Sequence, residues 1–103
     1  MAFVRAAKTG AVPQGAIAEF EVSGKSVAVA NVAGKFFAIN SVCVHEGGPL
    51  GEGALNGTVV ICPWHAWEYD VTTGKIVGSP DGAERIACYP VEIRGDDIYV
   101  DVG

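Results

Sequence analysis

Residues 43–70 read CVHEGGPLGEGALNGTVVICPWHAWEYD, and this stretch decides the fold. It opens with Cys43-Val44-His45, runs through sixteen residues, and returns to a second thiol and imidazole in Cys62-Pro63-Trp64-His65. Both histidines of the chain and two of its three cysteines fall within these two short motifs. Thiolate sulfur and neutral imidazole nitrogen are donors that hold zinc or iron, and each motif offers one of each within a few residues. Any one of the four alone would read as a small buried hydrophobe or a hydrogen-bonded imidazole, but four together describe a complete metal site. The donor types suit iron and zinc alike, so they leave the metal open.

Outward from the motifs, the chain consists of short apolar runs and glycine-rich turns. Residues 3–5, 17–22, 26–32 and 35–39 are β-branched or aromatic and partly alternate with a period of two, which predicts strands. Ser23-Gly24-Lys25 and Ala33-Gly34 read as hairpin turns. Residues 57–61 lead into Cys62, and residues 67–70 run on toward a Thr73-Gly74 turn, which predicts a hairpin with the second thiol-imidazole pair near its tip. Residues 85–93 and 98–102 predict a last hairpin around Gly95-Asp96-Asp97. No stretch shows the capped 3.6-residue period of an ordinary helix, and no repeat, low-complexity tract or linker interrupts the pattern. The expected fold is all-β, one antiparallel domain over residues 1–103.

A chain of 103 residues can bury roughly 65% of the surface it exposes when unfolded. The net charge of −5 argues against nucleic acid, whose phosphates need clustered lysine and arginine. No apolar run approaches the roughly 20 residues that span a bilayer, so no membrane partner is expected. Between residues 36 and 74 stand Glu46, Glu52, Glu68 and Asp70 but no lysine or arginine, so the metal-bearing end should be acidic, either for docking or simply for solubility. Cys88 lies in a strand-like run without a nearby histidine and reads as a packed core thiol. With two cysteines spent on metal no disulfide framework remains, and the N-terminus lacks the pattern of a signal sequence, so a reducing cytoplasm is the expected location.

The two motifs, their separation and the Gly47-Gly48-Pro49-Leu50 that follows the first pair resemble the Rieske [2Fe-2S] family. The resemblance implies a Rieske-like antiparallel β-sandwich with a small cluster-binding subdomain of two loops, over about residues 41–82. It implies one [2Fe-2S] cluster, with Cys43 and Cys62 on the inner iron and His45 and His65 on the outer, a ligation that raises the potential above that of an all-cysteine cluster. Gly47 and Gly48 would let backbone N–H groups approach the sulfides, although an ordinary tight turn before Pro49 needs the same residues. Leu50 would cover the cluster, and Pro80 within Ser79-Pro80-Asp81-Gly82 resembles the proline loop that forms a third wall, or is a surface turn. Trp64 and Trp67 are core or partner-facing.

The high-potential branch of that family carries an extra cysteine in each loop and a serine after the second histidine. Here Gly48, Trp64 and Trp67 stand at those positions, so the reduced state loses its donor and the potential should be low for the family, while Tyr69 matches a tyrosine that could lift it somewhat. This likeness is to the low-potential, oxygenase-associated ferredoxins. It implies a soluble one-electron carrier that accepts from a flavin-dependent or iron-sulfur reductase and delivers to a terminal oxygenase, and not an enzyme in its own right. A mononuclear iron centre would need histidines that this chain does not have. The small Rieske subunit of an assimilatory nitrite reductase, with its large subunit as partner, is the alternative within the family. A zinc-stabilised interaction module is the alternative of another class, against which stands the unequal spacing of the two motifs.

Overall fold

The computed structural model describes residues 3–41, 50–63, 68–77 and 86–102. Among these residues ten strands form three antiparallel sheets. The strands are β1 (Val4–Lys8), β2 (Ile17–Val22), β3 (Lys25–Val32), β4 (Lys35–Asn40), β5 (Ala54–Asn56), β6 (Val59–Ile61), β7 (Glu68–Asp70), β8 (Cys88–Tyr89), β9 (Val91–Arg94) and β10 (Asp97–Val100). The sheets are ordered β1-β10-β9, β2-β3-β4-β8 and β5-β6-β7. The only helical elements among the described residues are two three-residue 3-10 turns, Thr9–Ala11 and Leu50–Glu52. The all-β, antiparallel architecture expected from the pattern is the one observed.

β3 organises the molecule because it is buried on both faces. Val27 and Val29 point to one side, where they join Val12, Val22, Ala38, Ile98, Val100 and Val102 in a core shared with the sheet of β1, β10 and β9. Ala28 and Ala30 point to the other side and join Ile39, Leu50, Val60, Cys62, Tyr69, Val71 and Ile86. The pairings Val29 with Ala38 and Ala28 with Ile39 keep these two sets on their own faces, as alternation along a strand demands. Small alanines on the second face leave room for bulky Tyr69, Leu50 and Ile39 to close over them at interior density.

Two turns fix this register. Ser23 and Gly24 have φ of 50° and 80°, and Ala33 and Gly34 have 53° and 92°, the positive-φ pairs that match the twist of two-residue hairpins. Ala33 pays a steric penalty there because its Cβ crowds the backbone. Part of the compensation comes from buried Asn31, whose Oδ1 accepts from the Gly34 N–H at 2.9 Å while its Nδ2 donates to the Val12 carbonyl at 2.9 Å.

Three expectations need correction. The run over residues 85–93 is two strands: β8 pairs with β4 and β9 with β10, so the chain changes sheets at Pro90, which has no N–H to continue a ladder. Gly57, expected to begin a strand, instead adopts φ 62° in the turn of a β5–β6 hairpin that the pattern did not suggest. Cys88 is exposed rather than packed in a core. Its sulfur lies beside Gly74, 3.0 Å from where a Cβ would stand. At the far end, the Arg94 guanidinium stacks 4.4 Å over the Tyr99 ring, and its hydrogen bond to Glu92 raises its pKa. Among the described residues no helix is long and apolar enough to cross a membrane.

Candidate metal centre

Of the four candidate ligands, Cys62 lies within the described residues; Cys43, His45 and His65 lie outside them, as do Gly47, Gly48, Trp64, Trp67 and Pro80. Cys62 directly follows β6 and is 1% exposed. Its burial follows from alternation: Val60 and Cys62 share the face turned toward Ala28 and Ala30, and half-buried Ile61 turns away. Pro63, next along, is exposed, so the chain passes from core to surface in one step.

Most of the described residues that bracket the remaining segments lie at the Ile61–Glu68 end of the β5-β6-β7 sheet; Ile86 is tied instead to the turn beyond Asp70, at the other end of β7. For 42–49, the Leu50 N–H donates to the Ser41 carbonyl at 2.6 Å and the Gly51 N–H to Ser41 Oγ at 3.1 Å. Segment 64–67 begins just after the closing pair of the β6–β7 hairpin, Ile61 with Glu68. For 78–85, the Val77 N–H donates to the Glu68 carbonyl at 2.8 Å and the Ile86 N–H to the Gly74 carbonyl at 2.9 Å. Glu68 thus touches the base of two segments. The first is joined to them through Gly53, which lies against the Ile61 carbonyl so closely that a Cβ would collide with it.

Glycine is required at three of these junctions by contact rather than by φ alone. A Cβ on Gly51 would collide with the Glu19 side chain and stand 2.8 Å from its backbone, and one on Gly74 would collide with the Ile86 carbonyl. Leu50 and Tyr69, both fully buried, pack in the same core as Cys62. Tyr69 pairs with Val60 and bridges to Ile76, so its backbone is paired on both sides.

The acidic residues divide. Glu52 and Glu68 are exposed at this end. Asp70 is occupied locally, its Oδ1 accepting from the Thr72 N–H at 2.9 Å and hydroxyl at 2.6 Å, which closes the turn after β7. Glu46 lies outside the described residues. Sequence reasoning missed Glu19, Ser41, Gly51 and Gly53 as supports of the site, since no spacing or periodicity connects them.

A buried thiol in this lobe suits an iron-sulfur cluster: the sulfur sits in an apolar, water-poor wall, and the two remaining motif donors within 42–49 and the one within 64–67 belong to segments that adjoin described residues of the same lobe. Comparison with known proteins agrees. Residues 2–90 match the Rieske [2Fe-2S] domain. The biphenyl dioxygenase ferredoxin subunit of Pseudomonas sp. strain KKS102 is 39% identical over 102 residues, covering 98% of this chain and 93% of that protein. The ferredoxin of carbazole 1,9a-dioxygenase from Nocardioides aromaticivorans IC177 superposes with a TM-score of 0.88 at 27% identity, covering 97% of each chain. A chain in a complex of reduced oxygenase and oxidised ferredoxin of carbazole 1,9a-dioxygenase superposes with a TM-score of 0.85 at 28% identity, over 95% of this chain and 91% of that one. The chain therefore belongs to the Rieske [2Fe-2S] family, as a single-cluster ferredoxin that carries electrons.

Proposed function

We propose that this ferredoxin takes single electrons from a flavin-dependent or iron-sulfur reductase and delivers them to the terminal oxygenase of an aromatic-ring dioxygenase system, in the cytoplasm. Cys43 and Cys62 hold the inner iron and His45 and His65 the outer, in a lobe over about residues 41–82 of one domain, 1–103. The observation that carries this reading is the burial of Cys62 in one core with Leu50 and Ile86, the residues that directly follow the first and third loop segments. When bound, the cluster supplies one reversible electron at a potential in the lower part of the roughly −150 to +300 mV family range.

The chain's own residues do the rest. The β5-β6-β7 sheet holds Cys62 in place from behind, with Leu50, Tyr69 and Val60 excluding water on that side. Gly47 and Gly48 would offer backbone donors to the cluster, and Pro80 would supply a wall from the third loop. Exposed Glu52, Pro63, Glu68 and Val77 ring the same end, an acidic rim around apolar surface that fits a small, transient contact with a basic partner. Trp64 and Trp67 lie in the segment between Pro63 and Glu68 and would add to its apolar centre.

Stopped-flow mixing of the reduced protein with a purified terminal oxygenase of this class tests the reading. Loss of the reduced ferredoxin signal should be second order and match the gain of electrons by the oxygenase. Transfer that fails with every such oxygenase but proceeds to a nitrite reductase large subunit would overturn it.

A further inference from the structure

The strand β2 lies at the edge of the central sheet, far in sequence from either ligand motif, yet it reaches the root of the first loop. Ser41 Oγ donates to Glu19 Oε1 at 2.5 Å and accepts from the Gly51 N–H at 3.1 Å, while the Ser41 carbonyl accepts from the Leu50 N–H at 2.6 Å. Ser41 is fully buried, and its own N–H is tied to the Ser26 carbonyl of β3 at 3.0 Å. Gly51 lies so close to the Glu19 backbone that no side chain fits between them. The residues on either side of segment 42–49 are thus fastened to each other and to two neighbouring strands through a single residue, its hydroxyl reaching Glu19 and Gly51 and its backbone Leu50 and Ser26.

We infer that Glu19 and Ser41 are positioning residues for the cluster: they clamp the root of segment 42–49 and so fix where Cys43 and His45 stand relative to Cys62. This rests on the reading of Cys43 and His45 as cluster ligands. A carboxylate that accepts from a hydroxyl polarises it and strengthens the bond that the hydroxyl oxygen accepts in turn, so Glu19 tightens the Ser41–Gly51 closure without touching the loop. The geometry also explains why an exposed glutamate sits on β2 between apolar Ala18 and Phe20. A solvated strand residue would leave the cluster indifferent to its identity, whereas a clamp makes the cluster depend on an acceptor at this one position.

Glu19→Ala, Glu19→Gln and Ser41→Ala, purified with their clusters, separate the possibilities. Ser41→Ala removes the donor to Glu19 and the acceptor for Gly51 together, and should speed cluster loss to a chelator about tenfold, the equivalent of about 1.4 kcal/mol. Glu19→Ala should speed it about threefold. Both should alter the g-anisotropy of the reduced protein, which a general loss of stability would leave alone. Glu19→Gln keeps an acceptor oxygen and should stay within twofold of wild type, with the wild-type spectrum. If Glu19→Ala and Glu19→Gln both match wild type in rate and spectrum, the clamp is refuted, and this pair decides the matter even where Ser41→Ala fails to fold. Wild-type protein lacking two irons and two sulfides would instead refute the ligand reading on which the clamp depends.

Discussion

Replacing Leu50 by alanine tests whether the lobe and the central sheet are one mechanical unit. Leu50 is fully buried in one core with Ala28, Ala30, Ile39, Val60, Cys62 and Tyr69, to which β3, β4, β6 and β7 all contribute, and it stands immediately after the first loop segment. Truncating a leucine in such a place costs the transfer energy of its methyl groups and a cavity term, together about 3 kcal/mol within a range of about 2–5. Tyr69 and the β6 backbone are held by the sheet and cannot collapse far into the gap, which argues against the low end. Unfolding would release the cluster, so the assay is a rate: bleaching of the visible absorbance in a fixed concentration of guanidinium. If these contacts are absent from the unfolding transition state, about 3 kcal/mol accelerates bleaching roughly a hundredfold; if they are half retained, roughly tenfold. Leu50→Met, which nearly conserves volume, should cost under about 1.5 kcal/mol and stay much nearer wild type. Acceleration of less than about threefold in Leu50→Ala would show that the lobe holds its cluster without the central sheet, and the argument from shared core would fail.

The purified protein should be red-brown, with two irons and two acid-labile sulfides per chain and a reduced paramagnetic signal of low average g; a colourless protein holding one zinc would contradict the cluster. His65→Cys adds an anionic ligand and should yield either no cluster or one of distinctly lower potential by redox titration, so a full cluster at unchanged potential would exclude His65 as a ligand. Ala33→Asn should relieve the left-handed strain at φ 53° and raise the melting temperature by a few degrees, about 0.5–1 kcal/mol, without moving the potential; a fall in melting temperature would show that the turn tolerates alanine better than geometry implies. Glu52→Lys with Glu68→Lys should slow electron transfer to the partner at low ionic strength and have little effect at 1 M salt, where charges are screened beyond about 3 Å; equal rates at low salt would make these acids merely solvating.

The parts legible in the sequence were those written in neighbouring residues. The β2–β3 and β3–β4 hairpins follow from alternating strands joined at Ser23-Gly24 and Ala33-Gly34, and the ligand motifs from donor types at short spacing. Where the reading went astray, a local signal had two meanings. The run through Cys88 and Ile93 is β-rich throughout, and only Pro90 marks that its halves serve different sheets. Cys88 is apolar by type, but it sits on the short edge strand opposite Ile39, where its sulfur lies 4.0 Å from the Val71 carbonyl and beside Gly74 while the residue stays exposed. The β5 strand of three residues is too short to carry a period.

The supports of the site were illegible for a further reason. Glu19, Ser41 and Gly51 act on one another across 22 and 10 residues of chain, and each has an ordinary local reading, as a strand surface residue, a strand end and a turn glycine. Nothing near Glu19 distinguishes it from Glu21 on the same strand, yet Glu21 pairs across to Ser26 while Glu19 meets Ser41. The same holds for Ala28 and Ala30, whose small size matters because Tyr69 and Leu50, 39 or more and 20 or more residues away, must close over them. A three-stranded sheet of three-residue strands buries too little to stand alone, so the lobe's order must be imported from the central sheet. The candidate ligands announce themselves in sequence, but the supports around Cys62 are long-range contacts that exist only once both sheets have formed.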